Sequence, residues 1–297
     1  MNYRRILQTV VVGMVFAAPV VAQEEPVQLT FAEKRDCDPS VSPDGNHLAF
    51  VSNRTGKFNL YLLTFGDQGV LQVTQSTKDD VHPSWSRDGK KILFSSKRTG
   101  NGDIYQMASD GKSGYLQLTD RVEIDDFPSY CLGDEGLVYT STPKKAFGKV
   151  RIKGLRANAQ VVKADEKGRA NNVRVLADGS EPRLSPNGKQ IVFVSHRTKN
   201  EDVWLMEADG SVQRQLTMSP KHDIDARFSP DGKHIVFASN RTGNYDIWVM
   251  DADGSGQRQL TSGPEDETQP CWSFGGYIYY TRETSSTQSN IYRIKAP

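Results

Sequence analysis

Apolar residues in this chain come in short runs separated by turn residues, and the runs recur at a fixed interval. Between residues 225 and 261 the pattern predicts four strands. Asp225, Ala226, Arg227 and Phe228 lead the first. Pro230, Asp231 and Gly232 predict a hairpin turn, with proline presetting φ and glycine taking a positive φ. His234, Ile235, Val236, Phe237 and Ala238 then form an apolar run, as expected of a strand covered on both faces. Arg241, Thr242, Gly243 and Asn244 turn the chain into a third strand, which starts at Asp246 and Ile247 and continues through Trp248. Asp253 and Gly254 turn it again before the outer strand of Arg258, Gln259, Leu260 and Thr261. No segment carries a sustained helical period, so the chain reads as all-β.

The same sentence is spelled elsewhere. Ser42, Pro43, Asp44 and Gly45, followed by Asn53, Arg54, Thr55 and Gly56, match Ser229 to Gly232 followed by Asn240 to Gly243. The units open at Pro39, Pro83, Pro128, Pro182, Ala226 and Pro270, in steps of 44, 45, 54, 44 and 44 residues. One such unit cannot bury its apolar faces alone, so a period in this range means a propeller or a solenoid. The sixth unit stops after three strands, at Ile291, Tyr292, Arg293 and Ile294. Its missing strand is found at the other end of the chain, where Val27, Gln28, Leu29 and Thr30 lie one period before Val73 and Thr74. The pattern therefore predicts a six-bladed β-propeller over residues 23–297, closed by an N-terminal strand that completes the last blade and removes two exposed sheet edges.

The S-P-D-G, R-T-G, D-I-W-x-M and Q-L-T elements, recurring in phase, resemble the TolB-like, WD40-like PD40 propeller repeats. The resemblance covers about residues 24–297. It departs in the third unit, which has neither S-P-D-G nor R-T-G, and the segment before Val27 is too short for the α/β domain that accompanies the TolB propeller. The resemblance implies a module that docks a protein at one mouth of its channel, as the TolB propeller docks the lipoprotein Pal. It also brings in related propellers that degrade pectic oligosaccharides with a metal held by histidines.

Residues 1–22 read as a secretory signal peptide. Arg4 and Arg5 form a basic start, residues 6–21 are mostly apolar, and Val20 and Ala22 supply small residues for cleavage. A membrane anchor is the alternative, disfavoured by the short stretch and by Gln8 and Thr9 within it. The expected location is periplasmic or secreted, with no transmembrane span after cleavage, and the chain is expected to act as a monomer. With 37 basic and 36 acidic residues, it has no global field to gather nucleic acid. Cys37, Cys131 and Cys271 cannot form a disulfide framework. Cys37 and Cys271 open neighbouring inner strands and are either bridged or buried as thiols.

Connections from each outer strand to the next inner strand lie on one face of a propeller, and here they are acidic. Asp36, Asp38, Asp80, Asp126, Asp225 and Asp266 converge on that mouth with His82 and His222. Such a ring suits a basic partner surface or a cation such as calcium. The alternative is that these carboxylates hold turn amides or pair with the R-T-G arginines. A second patch lies in the long third unit, where residues 144–169 hold nine basic side chains, Lys144, Lys145, Lys149, Arg151 and Lys153 among them, against Asp165 and Glu166. It is either a docking surface for an anionic partner or a solvated loop.

Motifs of known chemistry are scarce. The Asp251 to Gly256 stretch starts like a calcium loop, but its twelfth position is Ser262. There is no G-x-S-x-G, and His47, His82, His196, His222 and His234 show no paired metal spacing. The S-P-D-G and Asp-Gly turns on the opposite face read as purely conformational. The sequence thus predicts an exported, non-enzymatic module, without cofactor, that binds an envelope protein or lipoprotein at the acidic mouth. The alternatives are a metal-dependent, oligouronide lyase-like propeller and a glycan- or envelope-binding scaffold.

Overall fold

The computed structural model describes residues 24–67, 69–131, 136–143, 159–164 and 173–297. The proposed leader and most of the basic segment, including Lys144, Lys145, Lys149, Arg151 and Lys153, lie outside the described residues. Strand β1 (Val27–Gln28) comes first in the chain and last in the ring. Blade one is β2 (Asp36–Val41), β3 (His47–Ser52), β4 (Asn59–Thr64) and β5 (Val70–Gln72). Blade two is β6 (Asp80–Trp85), β7 (Lys91–Ser96), β8 (Asp103–Ala108) and β9 (Leu116–Gln117). Blade three is β10 (Ile124–Tyr130), β11 (Leu137–Thr142), β12 (Gln160–Ala164) and β13 (Arg174–Asp178). Blade four is β14 (Ser180–Leu184), β15 (Gln190–Ser195), β16 (Asp202–Glu207) and β17 (Arg214–Gln215). Blade five is β18 (Asp223–Phe228), β19 (His234–Ser239), β20 (Asp246–Asp251) and β21 (Arg258–Gln259). Blade six is β22 (Asp266–Trp272), β23 (Tyr277–Ser285) and β24 (Gln288–Lys295), with β1 paired antiparallel to β24.

All six sheets are antiparallel meanders, and each inner strand touches the next around the ring, with β22 returning to β2. The expected closure is present, with Val27 opposite Arg293 and Gln28 opposite Tyr292. The core lies between blades rather than within them. Between blades four and five, for example, Val203, Leu205 and Leu216 meet Phe228, Ile235 and Phe237. Both faces of each middle strand are therefore covered, which is why those runs lack polar alternation.

The outer strands are shorter than the sequence suggests, because the Q-L-T motif ends them. Its threonine turns inward and its hydroxyl replaces a backbone carbonyl in the ladder. Thr74 Oγ1 accepts from Leu60 N–H at 2.9 Å, and Thr119, Thr217 and Thr261 do the same for Ile104, Val203 and Ile247. Thr30 repeats the bond with Ile291 at 3.0 Å across the ring closure. The preceding leucine enters the inter-blade core, as at Leu216 and Leu260. In the S-P-D-G turns the serine hydroxyl is also internal: Ser229 donates to Asp231 and accepts from His234 N–H, while Gly232 sits at φ +72°. Cys37, Cys131 and Cys271 are free thiols, and Cys271 Sγ accepts from Val41 N–H at 3.4 Å.

Candidate functional site

The acids of the outer-to-inner connections separate into two tiers. The first tier stands at the start of each inner strand and is buried: Asp36, Asp80, Asp125 and Asp223 are each 0% exposed, and Glu267 is 2% exposed. Asp36, Asp80 and Asp223 meet the R-T-G arginines, whereas Asp125, in the blade without R-T-G, accepts from Ser141 at 2.7 Å. Both oxygens of Asp223 accept from Arg241 Nη2 at 3.0 Å, those of Asp36 accept from Arg54 at 3.0 and 2.8 Å, and Arg98 reaches Asp80 at 3.0 Å. Arg282 takes the same role toward Glu267 in blade six, although no R-T-G is written there. Each guanidinium also lies over the aromatics of the second and third strands, Arg241 over Phe237 and Trp248 and Arg98 over Phe94 and Tyr105. In blade four Gly179 occupies the place of the acid, and Arg197 turns to the Asp178 carbonyl at 3.2 Å. This tier is a repeated structural lock. Burial nonetheless raises Asp80, and raises Asp125 to about 6.

Two residues further along, every inner strand carries a bulge, and the bulged residue faces the axis. These residues are Asp38, His82, Phe127, Glu181, Asp225 and Gln269, each at φ between 52 and 57°. The ladder slips at each one, for example between Cys37 and Ser40 and between Ile224 and Arg227. A left-handed backbone at a non-glycine residue, here ahead of proline in five cases, is strained by about 1 kcal/mol or more. Contacts between blades hold it in place. Asp225 N–H donates to Glu181 at 3.1 Å, Gln269 N–H to Asp225 at 3.0 Å, and Asp38 N–H to Gln269 at 2.9 Å. Each link joins one blade to the next.

Phe127 interrupts this chain because it has no acceptor. Its own N–H turns to Asp126, and Glu181 N–H turns to Thr140. His82 stacks on the Phe127 ring at 3.7 Å and contacts Asp126 through Nδ1 at 2.5 Å. Below this tier the channel closes. Asp38, Glu181, Asp225, Arg183 and Arg227 leave a void of only about 10 Å³. Arg227 reaches Asp38 at 3.4 Å. Burial, then the Glu181 charge, pushes Asp225 up to about 7. Burial and the Arg227 charge bring Arg183 down to about 10.

Of the predicted site residues, Asp38, His82 and Asp225 are therefore brought together at the axis, with Asp126 beside them. Asp266 stays exposed on the rim, where it accepts from Tyr245 N–H at 2.9 Å. Asp36 and Asp80 do not reach the mouth, since they are buried in the first tier. His222 lies off the axis with its Nδ1 3.2 Å from Glu201, and His196 approaches the same carboxylate at 3.6 Å. Burial lowers the His196 pKa. Among the described residues no group of three or more His, Cys, Asp or Glu side chains is arranged to hold a metal ion.

Other residues of the face were not singled out from sequence. Phe31, Val122 and Met218 are 79%, 69% and 80% exposed, all in outer-to-inner connections. A signal for two of them was present, because Phe31 and Met218 directly follow the Q-L-T threonine. Gln269 also belongs to the axial tier, one residue before the proline that marks its unit, where it joins Glu181, an acid legible in the same connections. Uniformity in the first tier and variety in the second is the pattern of a fixed frame presenting different side chains to one mouth.

A six-bladed propeller with this repeat defines a class, and the family follows. Residues 22–164 and 150–296 match the PD40 family, TolB beta propeller domain, and the chain belongs to it. A protein assigned as a TolB from Agrobacterium tumefaciens superposes with a TM-score of 0.68 at 19% identity, over 90% of this chain and 92% of that one. TolB from Acinetobacter baumannii superposes with a TM-score of 0.65 at 20% identity, and this chain spans 64% of its length. Oligogalacturonate lyase from Vibrio parahaemolyticus superposes at 0.60 and 12% identity over 92% of each chain. At these identities the likeness shows the fold alone. No curated protein matches the sequence significantly. Among the described residues no helix is long and apolar enough to cross a membrane.

Proposed function

We propose that this chain is an exported, non-enzymatic binding propeller that engages an envelope protein or lipoprotein at its acidic mouth. One observation carries the reading. Three strongly exposed apolar side chains, Phe31, Val122 and Met218, surround an axial tier of mixed polar and charged groups on a single face. Apolar anchors around a polar centre suit a protein surface, with the anchors supplying affinity and the charges supplying register. Arg183 and Arg227 with Asp38, Glu181 and Asp225 leave a void of only about 10 Å³ below the mouth, which favours a partner that rests on the mouth over one that threads it. Export rests on the apolar leader, and family membership is in keeping with it.

The test is capture from envelope extract by the mature chain and by a Met218→Ser, Asp266→Lys double variant. Both sites are exposed, so the variant is expected to fold. Its captured partner should fall by roughly tenfold or more. Equal capture by a folded double variant would overturn the reading. The lyase-like alternative is tested in the same preparation by metal content and by turnover of uronate oligomers; turnover would replace the binding reading.

A further inference from the structure

The opposite end of the channel opens into a second cavity that none of the mouth residues explains. It is a funnel of about 480 Å³, bounded by the ends of all six inner strands and the turns that follow them. Its wall carries Trp85, Tyr130, Trp272 and Phe274, with Pro43, Pro186 and Pro230 between them. Four of the eight serines of the wall are engaged within their own turns. Ser42, Ser86 and Ser229 donate to their own turn aspartates and accept from strand amides, and Ser185 does so with Asn187. Trp85 Nε1 is likewise engaged, donating to the Ser40 carbonyl at 2.9 Å. Trp85, Tyr130, Trp272 and Phe274 thus share the wall with Ser40, Ser84, Ser129, Ser273 and Arg87.

The floor is different. Arg183, 9% exposed, and Arg227, with a side chain 14% exposed, line both the funnel and the closed constriction. Arg183 uses only Nη1, toward the carbonyls of Phe127 and Pro182, and Arg227 uses only Nη2, toward Asp38. Their other guanidinium nitrogens have no protein acceptor among the described residues. Asp38, Glu181 and Asp225 neutralise the pair from the mouth side and leave the funnel side to be completed.

We infer that this funnel binds a carboxylate borne on an apolar or aromatic body, entering end-on. Two planar guanidinium donors at the bottom of the funnel match the fork of a carboxylate. The aromatic wall receives the body behind it, and the closed constriction admits only a terminus. The free C-terminus of a peptide and a small aryl acid share this chemistry. The site lies across the channel from the proposed protein-docking mouth, so either assignment can fail without the other.

Calorimetry on the mature chain tests it with three probes: acetyl-Ala-Ala-Phe with a free carboxylate, the same peptide as its amide, and 3-phenylpropanoate. The free acid is expected to bind roughly tenfold or more tighter than the amide, the scale of a charge-assisted pair. Arg227→Gln should reduce that ratio to near one. Phe274→Ala, at a side chain 69% exposed on the rim, should keep the fold and weaken acid and amide alike. A peptide tighter than 3-phenylpropanoate identifies a chain terminus as the ligand; equal affinity identifies the small acid. Equal binding of acid and amide, or no binding of any probe at millimolar concentration, overturns the proposal. Should Arg227→Gln not fold, the acid-to-amide ratio and Phe274→Ala decide it alone.

Discussion

Asp223 and Asp225 lie two residues apart on β18 and have opposite fates. Asp223 is sealed from solvent and gripped by Arg241, and its counterparts recur in the neighbouring blades as Asp36, Asp80, Asp125 and Glu267. Asp225 sits on a strained bulge facing the axis, and its counterparts are Asp, His, Phe, Glu and Gln. One carboxylate closes its blade internally, while the other joins its blade to the next and faces what enters the mouth. The comparison teaches that an acid count at a propeller mouth overstates the surface available to a partner, because a bulge separates the groups that hold the frame from those that are displayed.

The largest expected effect breaks the frame on which both tiers stand. Deleting residues 24–31 removes β1 and the Thr30 bonds to Ile291 and Asn290. The β24 edge is then exposed and the last blade is left with three strands. The loss should be on the order of 5 kcal/mol, with a broader urea transition. An unchanged transition would show that the ring closes without its N-terminal strand.

Next comes the first tier. Asp223→Ala leaves Arg241 over Phe237 and Trp248 without its acid, and should lower urea stability by about 3 kcal/mol, the scale of breaking a buried pair. A loss as small as that of a surface substitution would place Asp223 with the displayed groups and undo the comparison.

The axial tier should instead respond to pH. Asp225 has a folded pKa raised to about 7, above its unfolded value, so its stabilising contribution is complete below the unfolded carboxylate pKa and is lost as pH rises through 7. Asp125, raised to about 6, acts in the same direction. Stability should therefore decline between about pH 4 and pH 7 and level off above that. Asp225→Asn, which keeps an acceptor for Gln269 N–H, should flatten that decline and exceed the parent at pH 8 by on the order of 2 kcal/mol. Parallel pH profiles for variant and parent would show that Asp225 is ionised throughout.

The smallest effect sharpens the boundary between frame and display. Asp266→Lys, on an exposed side chain, should change stability by no more than about 0.5 kcal/mol while reducing partner capture. A stability loss comparable to that of Asp223→Ala would assign Asp266 to the frame.

The bland reading of the mouth acids, that some pair with R-T-G arginines, was legible in the repeat, since Arg54, Arg98 and Arg241 recur in phase with Asp36, Asp80 and Asp223. Asp36 and Asp80 were nevertheless expected at the mouth beside Asp38 and Asp225. In repeat phase all four fall within two positions of one another, and only the bulge turns one set inward and the other toward the axis. The pairing of His196 with His222 is not legible for a similar reason. His196 is far from His222 in the chain, and Glu201 joins them only once blades four and five are packed.

Local covalent rules acting within one unit were enough for the sequence by itself to determine the architecture. Proline and glycine set the turns, and a constant period makes every unit bury its faces against the next, so the ring and its closing strand follow. Which side chains share a surface depended on the tertiary structure. The axial tier, the Arg183 and Arg227 floor and the aromatic funnel are each assembled from residues on different blades. No spacing along the chain encodes their distances, because those distances are set by the bulges and by how six sheets pack about one axis.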